Sequence, residues 1–395
     1  MADYDVAIIG GGIHGVGIAQ AAAAAGYSVL CLEESAWGGA TSSRSSKLIH
    51  GGLRYLQTGQ LGLVRRCLNE RDRLLELASE LVKLRSFYIP VYDGGRYSAA
   101  QIRWALRAYY LLSGLRETGL YSELPETRWA DIKGLKAEGL QHIFRYYDGQ
   151  TDDQALTCAV GRSAQALGAI LCCPARFDAA TRSHSGYELI FYEAEIKKRA
   201  SCRVLVNATG PWVNQVLSQI ETPTAGWRPL TIDLVQGTHL VYPAGLSEQC
   251  LYVEAPSDGR AVFILPWQDK TLVGTTEKVY QGNPGEVEPL REEVQYLQQT
   301  LDTYLPEHQL RPEGRFCGLR VLPRSDRAAF FRSRDTQFLF DDPKHPTLAI
   351  LYGGKLTDYR ATAAQLMKQL SRTLGKRTPV ADTAHLRLLA ANRAA

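Results

Sequence analysis

The apolar positions of this chain change period several times, and those changes outline its organisation. After Asp5, Val-Ala-Ile-Ile runs unbroken to Gly10, the pattern of a parallel strand buried on both faces. It opens into Gly10-x-Gly12-x-x-Gly15, then Gly17 and an alanine-rich helix ending at Gly26. Ser28-Val-Leu-Cys-Leu predicts a second strand, ending at Glu33. Leu61, Val64, Leu68, Leu75, Ala78 and Val82 recur at helical spacing among charged residues, so one long helix is expected over Leu61–Leu84. Ile102, Leu106, Tyr109 and Leu112 mark one face of a helix within residues 94–116. Asp148–Asp153 predicts an acidic loop capping a helix that begins near Gln154. Strands are expected at Ala169–Cys173, Tyr187–Tyr192 and Cys202–Asn207, the last opening at Ala208-Thr209-Gly210. From about 228 to 315 short strands follow one another without alternating helices, which predicts an antiparallel sheet. A helix over Glu292–Tyr304, a strand at Cys317–Arg320 and a strand opening at Gly353-Gly354 complete the pattern.

The first three elements form a complete dinucleotide-binding unit, a stronger signal than a lone glycine motif. Its glycines let the backbone approach a pyrophosphate at a helix N-terminus, where free N–H groups and the dipole favour an anion. Glu33, with Glu34 beside it, is placed to meet a ribose hydroxyl. The later glycine-terminated strands suggest a ligand larger than NAD, and FAD in an extended form fits. Between fingerprint and long helix lies TSSRSSKLIHGGLRYLQ, Thr41–Gln57, too polar and glycine-punctuated for an ordinary connection. Its serine end is expected along the cofactor and its Arg54–Tyr55 pair at the substrate.

Composition narrows the setting. The 395 residues suffice for two domains, and 45% hydrophobic with 22% charged residues is ordinary for a globular protein. A net charge of +4 gives no argument for nucleic acid, and no apolar run is long enough to span a bilayer. The eight cysteines include no C-x-x-C pair, so neither a metal site nor a disulfide framework is expected, and a reducing, cytoplasmic setting is. Residues 94–116 carry Arg96, Arg103, Arg107 and Arg116 beside Trp104 and Tyr110. That helix suits a membrane surface, such as the inner face of the cytoplasmic membrane, or packing on its own domain.

IIGGGIHGVGIA, ATSSRSSKLIHGGLRYL, VNATGPWV, QGTHLVYP, FILPWQDKTLVGTT, GLR and GGKLTDYR occur in that order between Tyr4 and Leu370. In these segments the chain resembles the FAD-dependent glycerol-3-phosphate dehydrogenases, and SSKLIHGGLRYL is close to a signature of that family. The resemblance implies an α/β flavoprotein of the glutathione-reductase/amino-acid-oxidase type, with an FAD-binding Rossmann-like domain and an antiparallel-sheet substrate domain. It implies oxidation of sn-glycerol 3-phosphate to dihydroxyacetone phosphate, with electrons passing to a quinone or another acceptor. The cofactor contacts expected are Gly10, Gly12, Ile13, His14, Gly15, Glu33, Glu34, Thr41, Ser42, Ser43, Ser46, Lys47, Leu48, His50, Gly51, Gly52, Ala208, Thr209, Gly210, Trp212, Gly353, Gly354, Lys355, Leu356 and Thr357.

For the chemistry, His239 is the expected base, because imidazole titrates near neutrality. Arg54, Tyr55, Arg320 and Lys355 are expected to hold and polarise the substrate, and Arg334 to complete a phosphate clamp unless it is an exposed ion-pair partner. Lys47 and His50 have an alternative use in holding the loop itself. Four positions depart from the family pattern: His14 for asparagine, Glu277 for aspartate, Val321 for proline and Asp358 for threonine. The family's C-terminal helical domain has no counterpart in this chain. The expected partition is a discontinuous FAD domain (1–90, 150–227, 316–380), a substrate domain (91–149, 228–315) and a peripheral tail (381–395), and a homodimer is among the expected partners. Two other readings stand beside this one, an oxidase of the same fold acting on a hydroxy acid or amine, and a flavin-binding subunit without catalysis of its own.

Overall fold

The computed structural model describes residues 2–222, 227–243, 245–324 and 335–390. They form two mixed sheets. The first is centred on Tyr4–Ile9, which pairs in parallel with Val29–Leu32 on one side and Ile196–Asn207 on the other. Ile170–Cys172 and Leu348–Tyr352 extend the parallel set outward. The chain therefore reverses its winding at the first strand, so the strand C-termini there flank a crevice suited to a ligand. Gln337–Phe340 and the hairpin Ala175–Ser183/Gly186–Glu193 join by antiparallel pairing.

The first helix, Ile13–Ala24, shows why this sheet closes tightly. It is buried at almost every position, so it needs small residues rather than an amphipathic face. Its alanines and glycines let it lie between Asp153–Ala166 and Tyr359–Leu374. At Gly17 an added Cβ would sit 2.6 Å from the Tyr359 ring, so even one methyl would force the two helices apart.

The second sheet has ten strands, arranged around the twelve-residue strand Ile232–Pro243. That strand pairs antiparallel with Lys270–Gly274, Lys278–Tyr280 and Gly314–Pro323. The sheet continues through Ala261–Trp267 and Cys250–Glu254 to Val82–Tyr92 and Leu140–Thr151. One pairing corrects the wholly antiparallel expectation: Cys250–Glu254 runs parallel to Val82–Tyr92.

Two element boundaries also differ from the sequence reading. The long helix ends at Leu77, and Val82–Tyr92 is a strand. Its eleven-residue antiparallel pairing with Leu140–Thr151 overrides a helical spacing that continues through Ala78 and Val82. For the same reason Asp148 lies in a buried strand rather than a loop, and Asp152 is the N-cap of the next helix, accepting the Ala155 N–H at 2.9 Å. Near the C-terminus, Leu388 is buried against Leu74 and Ala78.

Candidate active site

A cavity of about 660 Å³ takes its walls from both sheets. Gly10, Gly11, Gly12, Glu33 and Glu34 line one end, together with Ala208–Trp212. Gly12 begins the first helix in an extended conformation with no side-chain cap, and that helix has no acid in its first turn. An anion is favoured there by the exposed N–H groups and the helix dipole. Gly10 has φ +105°, and a Cβ on it would lie 2.7 Å from the Ala208 carbonyl oxygen, so the two strand ends touch through a position only glycine fits. Glu33 accepts the Gly11 N–H at 2.7 Å and the Ser35 N–H at 2.9 Å, which leaves lone pairs for a hydroxyl donor. Gly15 does not line the cavity but supports it from below, where a Cβ would collide with the Gly10 carbonyl.

The polar stretch divides differently from the expectation. Thr41, Ser42, Ser46, Leu48, His50 and Gly52 reach the cavity. Ser42 also accepts the Ile13 N–H at 2.9 Å, tying the stretch to the first helix. Ser43, Lys47 and Gly51 are turned away. The Lys47 ammonium sits 2.6 Å from Asp153 in a buried ion pair and donates to the Ser43 carbonyl. The Gly51 N–H donates to Tyr109, whose hydroxyl bonds Asp148, and Asp148 is held by the fully buried Arg71. These groups fix the path of the chain rather than face a ligand. Across from them Gly353–Thr357 line the cavity, and Thr357 accepts the His50 N–H at 3.1 Å.

Side chains from separate elements meet at the other end. Gly52 adopts φ +80° and starts the single turn Leu53–Leu56, which presents Arg54 and Tyr55. Arg54 and Arg320 both approach Glu277, at 3.5 and 3.6 Å. Arg320 also donates to Thr275 Oγ1 at 3.0 Å and the Thr276 carbonyl at 3.1 Å. It lies across Gly237 of the neighbouring strand, where a Cβ would come within 2.2 Å of its guanidinium. The Lys355 ammonium sits 4.3 Å over the Tyr55 ring and 3.4 Å from the Cys67 sulfur. Burial works against its charge, but Cys67, Tyr55 and Asp358 outweigh burial and hold its pKa above the usual lysine value.

The two histidines of the cavity are in different situations. His239 fits beside Gly274, stacks on Phe316 at 4.9 Å and has Nε2 2.9 Å from Ser46 Oγ. Its Nδ1 is sealed and unpartnered among the described residues. Burial, then Arg320 and Lys47, depress its pKa to about 3. His50 stands edge-on to Phe263 and has no partner on either ring nitrogen among the described residues. Burial, then Lys355, Arg54 and Arg71, depress it well below the ordinary histidine value. Both rings are therefore neutral near pH 7.

Of the remaining expectations, Arg334 lies outside the described residues. Asp358 does not face the cavity; it accepts from Arg66 at 3.1 Å. The sequence reading did not single out Tyr252 and Phe263, which wall the cavity, or Ala175–Phe177 at the nucleotide end. Phe263 sits in a strand expected over the substrate, and period-two alternation would have put its ring on one face. Nothing local marks Ala175–Phe177.

A long cavity with an acid-free helix N-terminus at one end and a glycine-opened loop further along fits an extended flavin dinucleotide, which makes this an FAD-dependent oxidoreductase. The family model described as FAD dependent oxidoreductase matches residues 5–360, and the chain belongs to that family, with FAD as its cofactor. A glycerol-3-phosphate dehydrogenase of Pseudomonas aeruginosa is 36% identical over 376 residues, covering 93% of this chain and 71% of that protein. A D-erythritol 1-phosphate dehydrogenase of Brucella abortus is 32% identical, covering 93% of this chain and 73% of that protein. The solved glycerol-3-phosphate dehydrogenase of Bacillus halodurans, complexed with FAD, superposes with a TM-score of 0.77 at 25% identity, over 98% of this chain and 67% of that one. The protein is thus an FAD-dependent enzyme related to the glycerol-3-phosphate dehydrogenases.

Proposed function

We propose that the protein oxidises sn-glycerol 3-phosphate to dihydroxyacetone phosphate. The observation that carries this reading is the convergence of Arg54, Arg320 and Lys355 with His50 and His239 at one end of the flavin cavity. FAD, when bound, supplies the hydride acceptor. The protein's share is to hold a phosphate ester, orient its secondary alcohol and accept the hydroxyl proton. Arginine forks suit a phosphate, and each charge-assisted contact contributes about 1.5–3 kcal/mol. Glu277 between the two arginines keeps them in place and moderates their joint charge.

For the proton, the geometry favours His50 over the expected His239. Both nitrogens of His239 are engaged or sealed, whereas the His50 ring opens to the cavity without a protein partner among the described residues. A positioned base contributes about 10²–10⁴-fold. His239 then holds Ser46 and the edge of the substrate sheet. On this reading the parallel-sheet lobe serves the cofactor and the ten-stranded sheet the substrate.

Electrons would leave to a quinone or another acceptor. The helix Ala99–Leu112 supports a membrane surface contact: Ile102, Leu106 and Tyr109 face inward, while Trp104, Leu111 and Leu115 are exposed beside Arg107. Among the described residues no helix is long and apolar enough to cross a membrane.

Anaerobic addition of sn-glycerol 3-phosphate to the FAD-loaded protein should bleach the flavin absorbance. The erythritol-phosphate relative motivates a longer polyol phosphate as the second substrate to try. Bleaching by erythritol phosphate and not by glycerol 3-phosphate would move the assignment to that substrate. Bleaching by an amine or hydroxy acid alone would refute a phosphate-ester substrate.

A further inference from the structure

Behind the Gly353–Gly354 loop lie two titratable groups with sealed polar atoms that the proposed reaction does not use. His14 is in the first turn of the opening helix and lines the cavity. Both its ring nitrogens are sealed from solvent and lack a hydrogen-bond partner among the described residues. Its imidazole packs on Gly354, where a Cβ would lie 2.2 Å from Nε2. Asp358, at the N-cap of Tyr359–Leu374, accepts the Arg66 Nε–H at Oδ2, while its Oδ1 is sealed and unpartnered. Buried polar groups normally find partners, so a histidine and an aspartate left incomplete in one place call for an explanation. The two are near enough for the Asp358 carboxylate to act on the His14 imidazole.

We infer that His14, sealed behind the Gly353–Gly354 loop and within the field of Asp358, takes up a proton when the flavin is reduced. Two electrons and one proton reach the flavin as a hydride from the substrate, or singly from a chemical reductant. The added negative charge is met by one solvent proton that binds an imidazole nitrogen, and reoxidation releases it. The charged groups around His14 set the starting point. The Asp358 charge favours a proton on His14, and Arg66 offsets Asp358 while also bound to Asp335. Burial outweighs Asp358 and keeps His14 below the ordinary histidine pKa, so the ring is neutral until a further negative charge arrives. Asparagine at position 14 could hydrogen-bond but could not perform this function.

The test uses no polyol phosphate, so it is independent of the proposed substrate. The midpoint potential of the FAD-loaded protein is measured spectroelectrochemically at a series of pH values, for the wild type and for His14→Asn, His14→Gln and Asp358→Asn. One extra proton per two electrons adds a tenfold dependence per pH unit, about 30 mV. The wild type should be steeper by that amount over part of the range, and both His14 variants should lose the extra slope. Asp358→Asn should keep it but shift it to lower pH. Equal slopes in the wild type and whichever His14 variant retains flavin would overturn the proposal. If neither variant retains flavin, an Asp358→Asn profile superimposable on the wild type would overturn it.

Discussion

The two ends of the cavity are built on different principles. At the nucleotide end the binding surface is largely backbone, delivered by residues close together in sequence. Gly10–Gly12 and Glu33 come from one βαβ unit, joined by Ala208–Trp212 where the neighbouring strand ends. At the end proposed for the substrate the surface is side chain, and its members are far apart in sequence. Arg54 comes from a single turn, His239 and Arg320 from paired strands, and Lys355 from a loop beyond the last strand. The first end depends on close backbone approach, where sterics decide. The second depends on charge placement, where energies of a few kcal/mol decide.

The most severe way to break this contrast is at Gly10. Alanine there meets φ +105° and a carbonyl 2.7 Å away, so Gly10→Ala should leave the protein largely flavin-free after gel filtration. A variant that keeps its full flavin absorbance would refute the claim that close approach governs this end. At the other end Arg320→Ala should leave flavin content intact while kcat/KM falls about 10²–10⁴-fold, as expected for two lost charge-assisted contacts. Loss of flavin in step with activity would mean that the two ends are not separable.

The middle of the polar stretch sharpens the comparison further. Lys47 and Asp153 are a buried pair that faces no ligand. Removing one partner strands the other, so Asp153→Ala should cost about 3–5 kcal/mol in denaturant unfolding. The double change Lys47→Met/Asp153→Leu should recover much of that loss. If Asp153→Ala proves neutral, Lys47 is free to serve the cofactor as the sequence suggested.

The contrast also explains what was legible beforehand. The nucleotide end could be read because glycine spacing and strand length encode it locally, and Gly10, Gly12, Glu33 and Ala208–Gly210 all reach the cavity. At the substrate end the residues could be named from family motifs, but their roles could not. Whether His50 or His239 has a ring nitrogen open to the cavity depends on Ser46 and Phe316, and only the tertiary fold brings these to His239, Phe316 by strand pairing and Ser46 from the polar stretch. The pairing of Val82–Tyr92 with Leu140–Thr151 was hidden for a similar reason: helical spacing is a local signal and strand partnership is not. The role of Asp358 was equally illegible, because Arg66, nearly 300 positions away, engages it.

The finest test of the comparison concerns the two histidines, through pH. A base acts when neutral, and its activity is lost as pH falls through its pKa. With His50 held well below the ordinary value of 6.5, the acid limb of kcat/KM should lie well below that pH, and His50→Asn should remove it. His239→Asn should change kcat less than tenfold, since asparagine can still bond Ser46. Its effect should appear in stability instead. The folded His239 has a pKa of about 3 and the unfolded ring about 6.5, so the unfolded state gains protons first on acidification. The contribution is complete above pH 6.5 and is lost as pH falls towards 3. Between pH 7 and 5 the wild type should therefore lose roughly 2 kcal/mol more than His239→Asn. An equal loss in both proteins would show that His239 is not held neutral by the fold, and would restore it as a rival for the base.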